Sequence, residues 1–172
     1  MKTWEYHGQK RPPFAQQPLP GQESVWDYPR PPLLEPSNRL VVVEANGDTL
    51  AHSTNTFRVM ETASPPGFYI PEQDIDWDKL TPAPGSSVCE WKGVAKYWRL
   101  ASQPDGKAVA WSYPEPIAAF GVLRGYVSFY PGRVDCYVDG EKVRPQPGEF
   151  YGGWVTDDIV GPFKGAPDTR HW

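Results

Sequence analysis

Histidine is nearly missing from this chain: there are three, His7, His52 and His171, and two of them lie close to the ends. A hydrolase triad needs an imidazole positioned beside its nucleophile, and no Gly-x-Ser-x-Gly elbow is there to present a serine. Cysteine is scarcer still. Cys89 and Cys136 are the whole complement, with no Cys-x-x-Cys, so neither a zinc site nor a disulfide scaffold is expected. The Gly-x-Gly-x-x-Gly and Walker-type loops that cradle dinucleotides and nucleoside triphosphates are absent. No run approaches the roughly eighteen apolar residues of a membrane-spanning helix. The opening stretch, MKTWEYHGQKRPPF, lacks the apolar segment of a secretory signal. The expectation is a soluble, cytoplasmic protein. Positive charge is in deficit too, with 17 Lys and Arg against 21 Asp and Glu, which removes the basic footprint expected of a nucleic-acid binder. No cofactor and no metal are expected.

What the chain does have is proline, glycine and large rings: 21 Pro, 16 Gly and eight Trp in 172 residues. Prolines interrupt nearly every run longer than about a dozen residues, which disfavours long helices. The length suits one domain with a real hydrophobic core. Residues 1–22 are polar and Pro-rich and read as an arm, lying over the domain or partly disordered; residues 23–172 read as the domain itself. In ESVWDYPRPP, Trp26 and Tyr28 sit in a stiff extended segment and should dock their rings against the body.

Strand signals follow in order. Leu40–Glu44 is valine-rich, and Asn46-Gly47 supplies the positive φ of a tight hairpin turn before the return strand Thr49–Ser53. In NTFRVMET, Phe57 and Val59 alternate with Arg58 and Met60, and Glu61 falls in phase with the apolar pair. An inward carboxylate must find a cation or donors; at the strand end it can equally turn into water. PPGFYIP reads as a rigid turn presenting Phe68 and Tyr69. In EQDIDWDKL, Asp74, Asp76 and Asp78 open like a calcium loop, but Lys79 stands where that loop needs glycine and Gly85 where it needs glutamate, leaving a solvated acidic turn.

Ser87–Tyr113 reads as two long strands joined at Pro104-Asp105-Gly106. Alternation puts Cys89, Trp91, Gly93, Ala95 and Tyr97 on one face and Val88, Glu90, Lys92, Val94, Lys96 and Trp98 on the other. Lys92 therefore points away from Cys89, and Cys89 lacks the electropositive neighbour a nucleophilic thiol needs. GYVSFYPGR is a further strand, RVDCYVDGEKV a hairpin turning at Asp139-Gly140, and the turn-rich tail from Arg144 should wrap the sheets. The residues left as candidates for a binding site are Tyr69, Trp91, Lys92, Tyr97, Trp111 and Tyr126, with Glu61 as the one candidate acid or base. Rings of this kind stack on flat ligands or enclose cations, and equally they fill cores.

Taken together, ESVWDYPRPP, VMETASPPGFYIP, CEWKGVAKYW, AWSYP, GYVSFY and PQPGEFYGGW resemble the domain of unknown function family 427, over about Glu23 to Trp172. The resemblance implies a bacterial family with a mainly-β, β-tent-like fold: two small antiparallel sheets packed at a steep angle, with short helical turns. The β-tent group includes the thalidomide-binding domain of cereblon, whose tryptophans cage a small cyclic ligand, and by analogy of fold Trp91 and Trp111 would form such a cage. The family carries a nucleotidyltransferase label. Here Asp74-x-Asp76 precedes Gly85-Ser86, the reverse of the order such enzymes use, so these residues do not support it. The leading expectation is a small-molecule-binding protein with an aromatic pocket between the sheets, where Glu61 and Lys92 orient a nucleoside-like or other cyclic ligand. The alternatives are an enzyme acting on a nucleotide or related metabolite through Glu61, and a protein-interaction module.

Overall fold

Three consecutive valines hold the start of the first hairpin extended, because β-branched side chains are stiff at χ1 and pack well on a pleated surface. In a computed structural model describing residues 3–172, eleven strands make two main sheets. They are β1 (Leu33–Ser37), β2 (Val41–Ala45), β3 (Asp48–Ser53), β4 (Thr56–Met60), β5 (Gly67–Pro71), β6 (Leu80–Cys89), β7 (Gly93–Leu100), β8 (Ala110–Ser112), β9 (Tyr126–Phe129), β10 (Asp135–Val138) and β11 (Glu141–Lys142). The larger sheet has seven strands in the order β1-β4-β5-β9-β8-β7-β6, and the smaller has four in the order β11-β10-β2-β3. Neighbours in both are antiparallel. The fold is mainly β, and the helical segments are short 3₁₀ turns, at Val25–Asp27, Glu72–Asp74, Trp77–Lys79 and Ala118–Leu123. Among the described residues no helix is long and apolar enough to cross a membrane.

Both Gly-containing hairpin turns form as their sequences dictate. Asn46 and Gly47 have φ of 53° and 83°, and Asp139 and Gly140 have 49° and 82°, the paired positive φ of a type I′ turn. Two expectations are corrected. PPGFYIP is not a turn: from Gly67 it is strand β5, near the middle of the large sheet. The long strand expected from Ser87 to Trp98 is broken, because Cys89 pairs with Gly93 and the chain reverses through Glu90, Trp91 and Lys92. The segment containing Pro104-Asp105-Gly106 instead links β7 to β8.

The large sheet is used on both faces, and period-2 alternation decides which residue goes where. Phe68, Ile70, Ala110, Val127 and Phe129 face one way and meet Val41, Val43, Leu50, Cys136 and Val138 of the small sheet in the main core. Tyr69 and Trp111, one residue out of phase, face the other way with Ala95, Tyr113 and Val59. A third cluster gathers the N-terminal residues. Trp26 is fully buried in a 3₁₀ turn rather than an extended segment, its backbone N–H donating to the Ser24 hydroxyl. Phe14 and Trp172 lie 5.4 and 5.3 Å from it, centroid to centroid. Residues 11–14 thus pack against this cluster, held by the Phe14 ring and by the 2.8 Å Arg11–Asp27 ion pair.

Candidate functional site

The second face of the large sheet is the floor of a cavity of about 400 Å³. It lies on the side of that sheet away from the small sheet, not between the two as expected. Tyr69 of β5, Ala95 and Tyr97 of β7, Trp111 of β8 and Tyr113 lie on this floor. The hairpin turn Cys89–Lys92 and the Glu61–Pro65 turn form two walls, and the C-terminal segment 150–153, Lys164 and Trp4 of the arm complete them. Glu61, Tyr69, Trp91, Lys92, Tyr97 and Trp111 all line this one cavity. Tyr126 does not; its ring packs edge-on against Phe57, with centroids 5.3 Å apart.

The floor is a hydrogen-bonded aromatic layer. Trp111 Nε1 donates to the Tyr69 hydroxyl at 3.1 Å, and the Trp111 ring lies 4.5 Å from that of Tyr130. Ser87 and Tyr97 share a 2.6 Å hydroxyl–hydroxyl hydrogen bond. Burial pushes the Tyr69 hydroxyl up from its ordinary pKa despite the Lys92 ammonium nearby. Burial, reinforced by Tyr69 and Cys89, pushes the Tyr113 hydroxyl well up too. Both phenols are therefore neutral O–H groups at physiological pH.

Lys92 is the unusual member. It is 8 % exposed, lines the cavity and holds its ammonium 5.7 Å from the centre of the Tyr113 ring. The break in the strand puts it there. Gly93 takes φ +113°, and a Cβ at that position would lie 3.3 Å from the Glu115 carbonyl oxygen, so glycine is required. The Lys92 carbonyl accepts from Ile117 N–H at 2.9 Å, fixing the turn. The expected separation of Lys92 from Cys89 is thereby reversed: the turn folds the amine back beside the thiol. Burial disfavours the ammonium, but Tyr69, Cys89 and Glu61 more than offset it, and the pKa of Lys92 lies above the ordinary lysine value.

Glu61 resolves between its two readings. It follows the last residue of β4 and is about one-quarter exposed, with a carboxylate oxygen 3.6 Å from Nε of the buried Arg30. It has found its cation, and it still reaches the cavity. Asp74 accepts from the Ser53 hydroxyl at 2.6 Å and Asp76 caps the 3₁₀ turn at Trp77–Lys79; neither lines the cavity. Among the described residues no group of three or more His, Cys, Asp or Glu side chains is placed to hold a metal.

Residues 33–140 match the family model described as domain of unknown function DUF427, a span that contains the whole sheet floor and the Cys89–Lys92 turn. The chain belongs to the DUF427 family. No curated protein matches it. The matched DUF427 span stops short of the residues that close the cavity from the C-terminal side, Gln146 and 150–153.

That closing segment was legible only as turn-rich sequence, and its Gly152-Gly153 pair has a specific job. A Cβ on Gly152 would collide with the edge of the Trp111 ring and lie 3.1 Å from Tyr130 Cδ1. At Gly153 it would lie 2.7 Å from the Pro65 carbonyl oxygen. Gln146 locks the segment, accepting from Gly153 N–H at 3.1 Å and donating to the Lys164 carbonyl at 2.7 Å. Gly152→Ala is expected to cost about 1–3 kcal/mol by overpacking, read as a shift in the thermal melt. Gly121→Ala, where nothing lies within 4 Å of the added methyl, serves as the near-neutral control. Equal melts for the two variants would show that the segment does not press on Trp111.

Proposed function

We propose that the protein binds a small ring-bearing molecule carrying an anionic group, of nucleoside-like or similar cyclic shape, in this cavity. The observation that carries the reading is Lys92: a buried ammonium lining an aromatic cavity, with no carboxylate within 4 Å among the described residues. A ligand carboxylate or phosphate seated against it would give this ammonium a direct charge-assisted partner in a water-poor site. Trp111, Tyr69, Tyr113 and Trp91 offer ring faces and edges for stacking. The volume falls within the roughly 300–1,000 Å³ typical of small-molecule sites. Glu61, held by Arg30, is placed to accept a hydrogen bond from a polar edge of the same ligand.

The test is a binding panel of aromatic carboxylates and nucleoside monophosphates, each paired with its uncharged analogue, followed by tryptophan fluorescence. The expectation is that anionic members bind, and that Lys92→Met weakens them by about tenfold or more, as loss of a buried charge-assisted contact does, while the uncharged analogues lose much less. Absence of any binder, or the same affinity in Lys92→Met, would sink the assignment.

A further inference from the structure

The hairpin turn brings together two groups that the binding reading does not need together. Cys89 is half-buried at the cavity wall, and the amine beside it belongs to Lys92, more than nine-tenths buried and facing the same space. We propose that Cys89 is a nucleophile that takes up an acyl group from a ligand bound in this cavity, with Lys92 as its charge partner. The proposal rests on the ligand-binding reading above, and adds a covalent step to it.

The geometry suits acyl transfer. A thiol acts as a nucleophile in an electropositive, partly exposed setting, and this one has an ammonium next to it and an opening to the cavity. Cys136, the other thiol, shows the contrast: it is fully buried in the main core, where burial pushes its pKa well up. Attack by Sγ on an ester or thioester carbonyl forms the S–C bond and places negative charge on the carbonyl oxygen. The neutral Tyr69 and Tyr113 hydroxyls lining the cavity are the O–H donors available to that oxygen. Collapse breaks the bond from the carbonyl carbon to the leaving oxygen or sulfur. The Lys92 ammonium keeps its proton and offsets the thiolate charge; the proton that Cys89 gave up goes to water, and the leaving group takes one from water. The products are an S-acyl cysteine and a free alcohol or thiol. Attack by water on the acyl carbon then releases a carboxylic acid and restores the thiol, so the sum is hydrolysis with no oxidant or reductant. A carboxylate product would meet the Lys92 ammonium, the anion contact of the binding reading.

The experiment uses the full chain with p-nitrophenyl acetate as probe. One equivalent of p-nitrophenolate should appear in a burst, and mass spectrometry should find one acetyl group on the peptide holding Cys89 and none on that holding Cys136. Cys89→Ser should lose the burst. Lys92→Met should slow acylation by about tenfold or more, and Lys92→Arg should recover part of the rate, because it restores the charge beside the thiol. Should Lys92→Met fail to fold, alkylation of the wild-type protein decides: iodoacetamide at neutral pH should modify Cys89 about tenfold or more faster than it modifies glutathione. An unacylated Cys89 in a protein that still binds ring-bearing anions would overturn the nucleophile and leave the binding role standing. An undiminished acylation rate in Lys92→Met, or iodoacetamide reactivity no higher than glutathione's, would equally overturn it.

Discussion

Arg30→Ala should be among the most destabilising single changes in this protein, at about 3–5 kcal/mol, the cost of leaving the partners of a buried ion pair uncompensated. The Arg30 side chain is 1 % exposed. Its guanidinium donates to the carbonyl oxygens of Tyr6 at 3.0 Å, Thr62 at 3.2 Å and Trp172 at 2.8 Å. It also lies 3.9 Å from the centre of the Trp4 ring. One planar, five-donor head thus joins the N-terminal arm, the turn after β4 and the last residue of the chain, a set of partners the single ammonium of lysine could not satisfy together. The measurement is urea unfolding, with trypsin cleavage after Lys10 as a report of arm release. Glu61→Gln should cost less, because the guanidinium keeps its three carbonyl partners. Equal losses in the two variants would show that the Glu61 ion pair, not the three-way clamp, dominates. An unchanged Arg30→Ala midpoint would remove the clamp altogether.

Arg30 also marks where the sequence stops being readable. It stands in a Pro-flanked segment with no periodicity, and its partners lie 24, 32 and 142 residues away. Nothing local encodes contacts so distant. The hairpins at Asn46-Gly47 and Asp139-Gly140 were legible because their turn chemistry is contained in two residues and their strands alternate. Glu61, Tyr69, Trp91, Lys92, Tyr97 and Trp111 could be picked out as ring and charge residues near strands, and the fold brings them to one cavity.

Tyr126 was not separable from that group, since a ring that packs against Phe57 has the same local pattern as a ring that lines a wall. The Cys89–Lys92 turn was misread for a different reason. Val88 to Trp98 has strand composition throughout, and the one contrary sign is Gly93, a residue that weakens a strand interior and often marks a break. Reading that glycine as the end of a three-residue loop changes the phase of everything before it, and moves Lys92 to the side of Cys89. The side of the large sheet on which the cavity lies depends on which face the small sheet covers, a tertiary choice that alternation within a strand leaves open.

Trp154→Ala tests how the cavity is supported from behind. Trp154 is fully buried in the main core, with its indole N–H donating to the Phe129 carbonyl at 2.9 Å and its ring 5.2 Å from Phe68. Its backbone N–H donates to the Pro66 carbonyl at 3.0 Å, one residue before β5 begins. Removing the ring should cost about 3–5 kcal/mol through lost burial and the void left behind, and the Phe129 carbonyl would lose its donor as well. For a chain of this length that corresponds to a fall of about 6–20 °C in the melting temperature. Trp154→Phe keeps most of the packing and drops the hydrogen bond, so its fall should be distinctly smaller. The consequence reaches the site through the chain itself, because Trp154 follows directly on the Gly152-Gly153 pair that abuts Trp111 and Pro65. With the indole gone, that pair loses the anchor that presses it onto the cavity, and ligand affinity should drop even at temperatures where Trp154→Ala is fully folded. Undiminished affinity in the folded variant would show that Gln146 alone is enough to hold the segment in place.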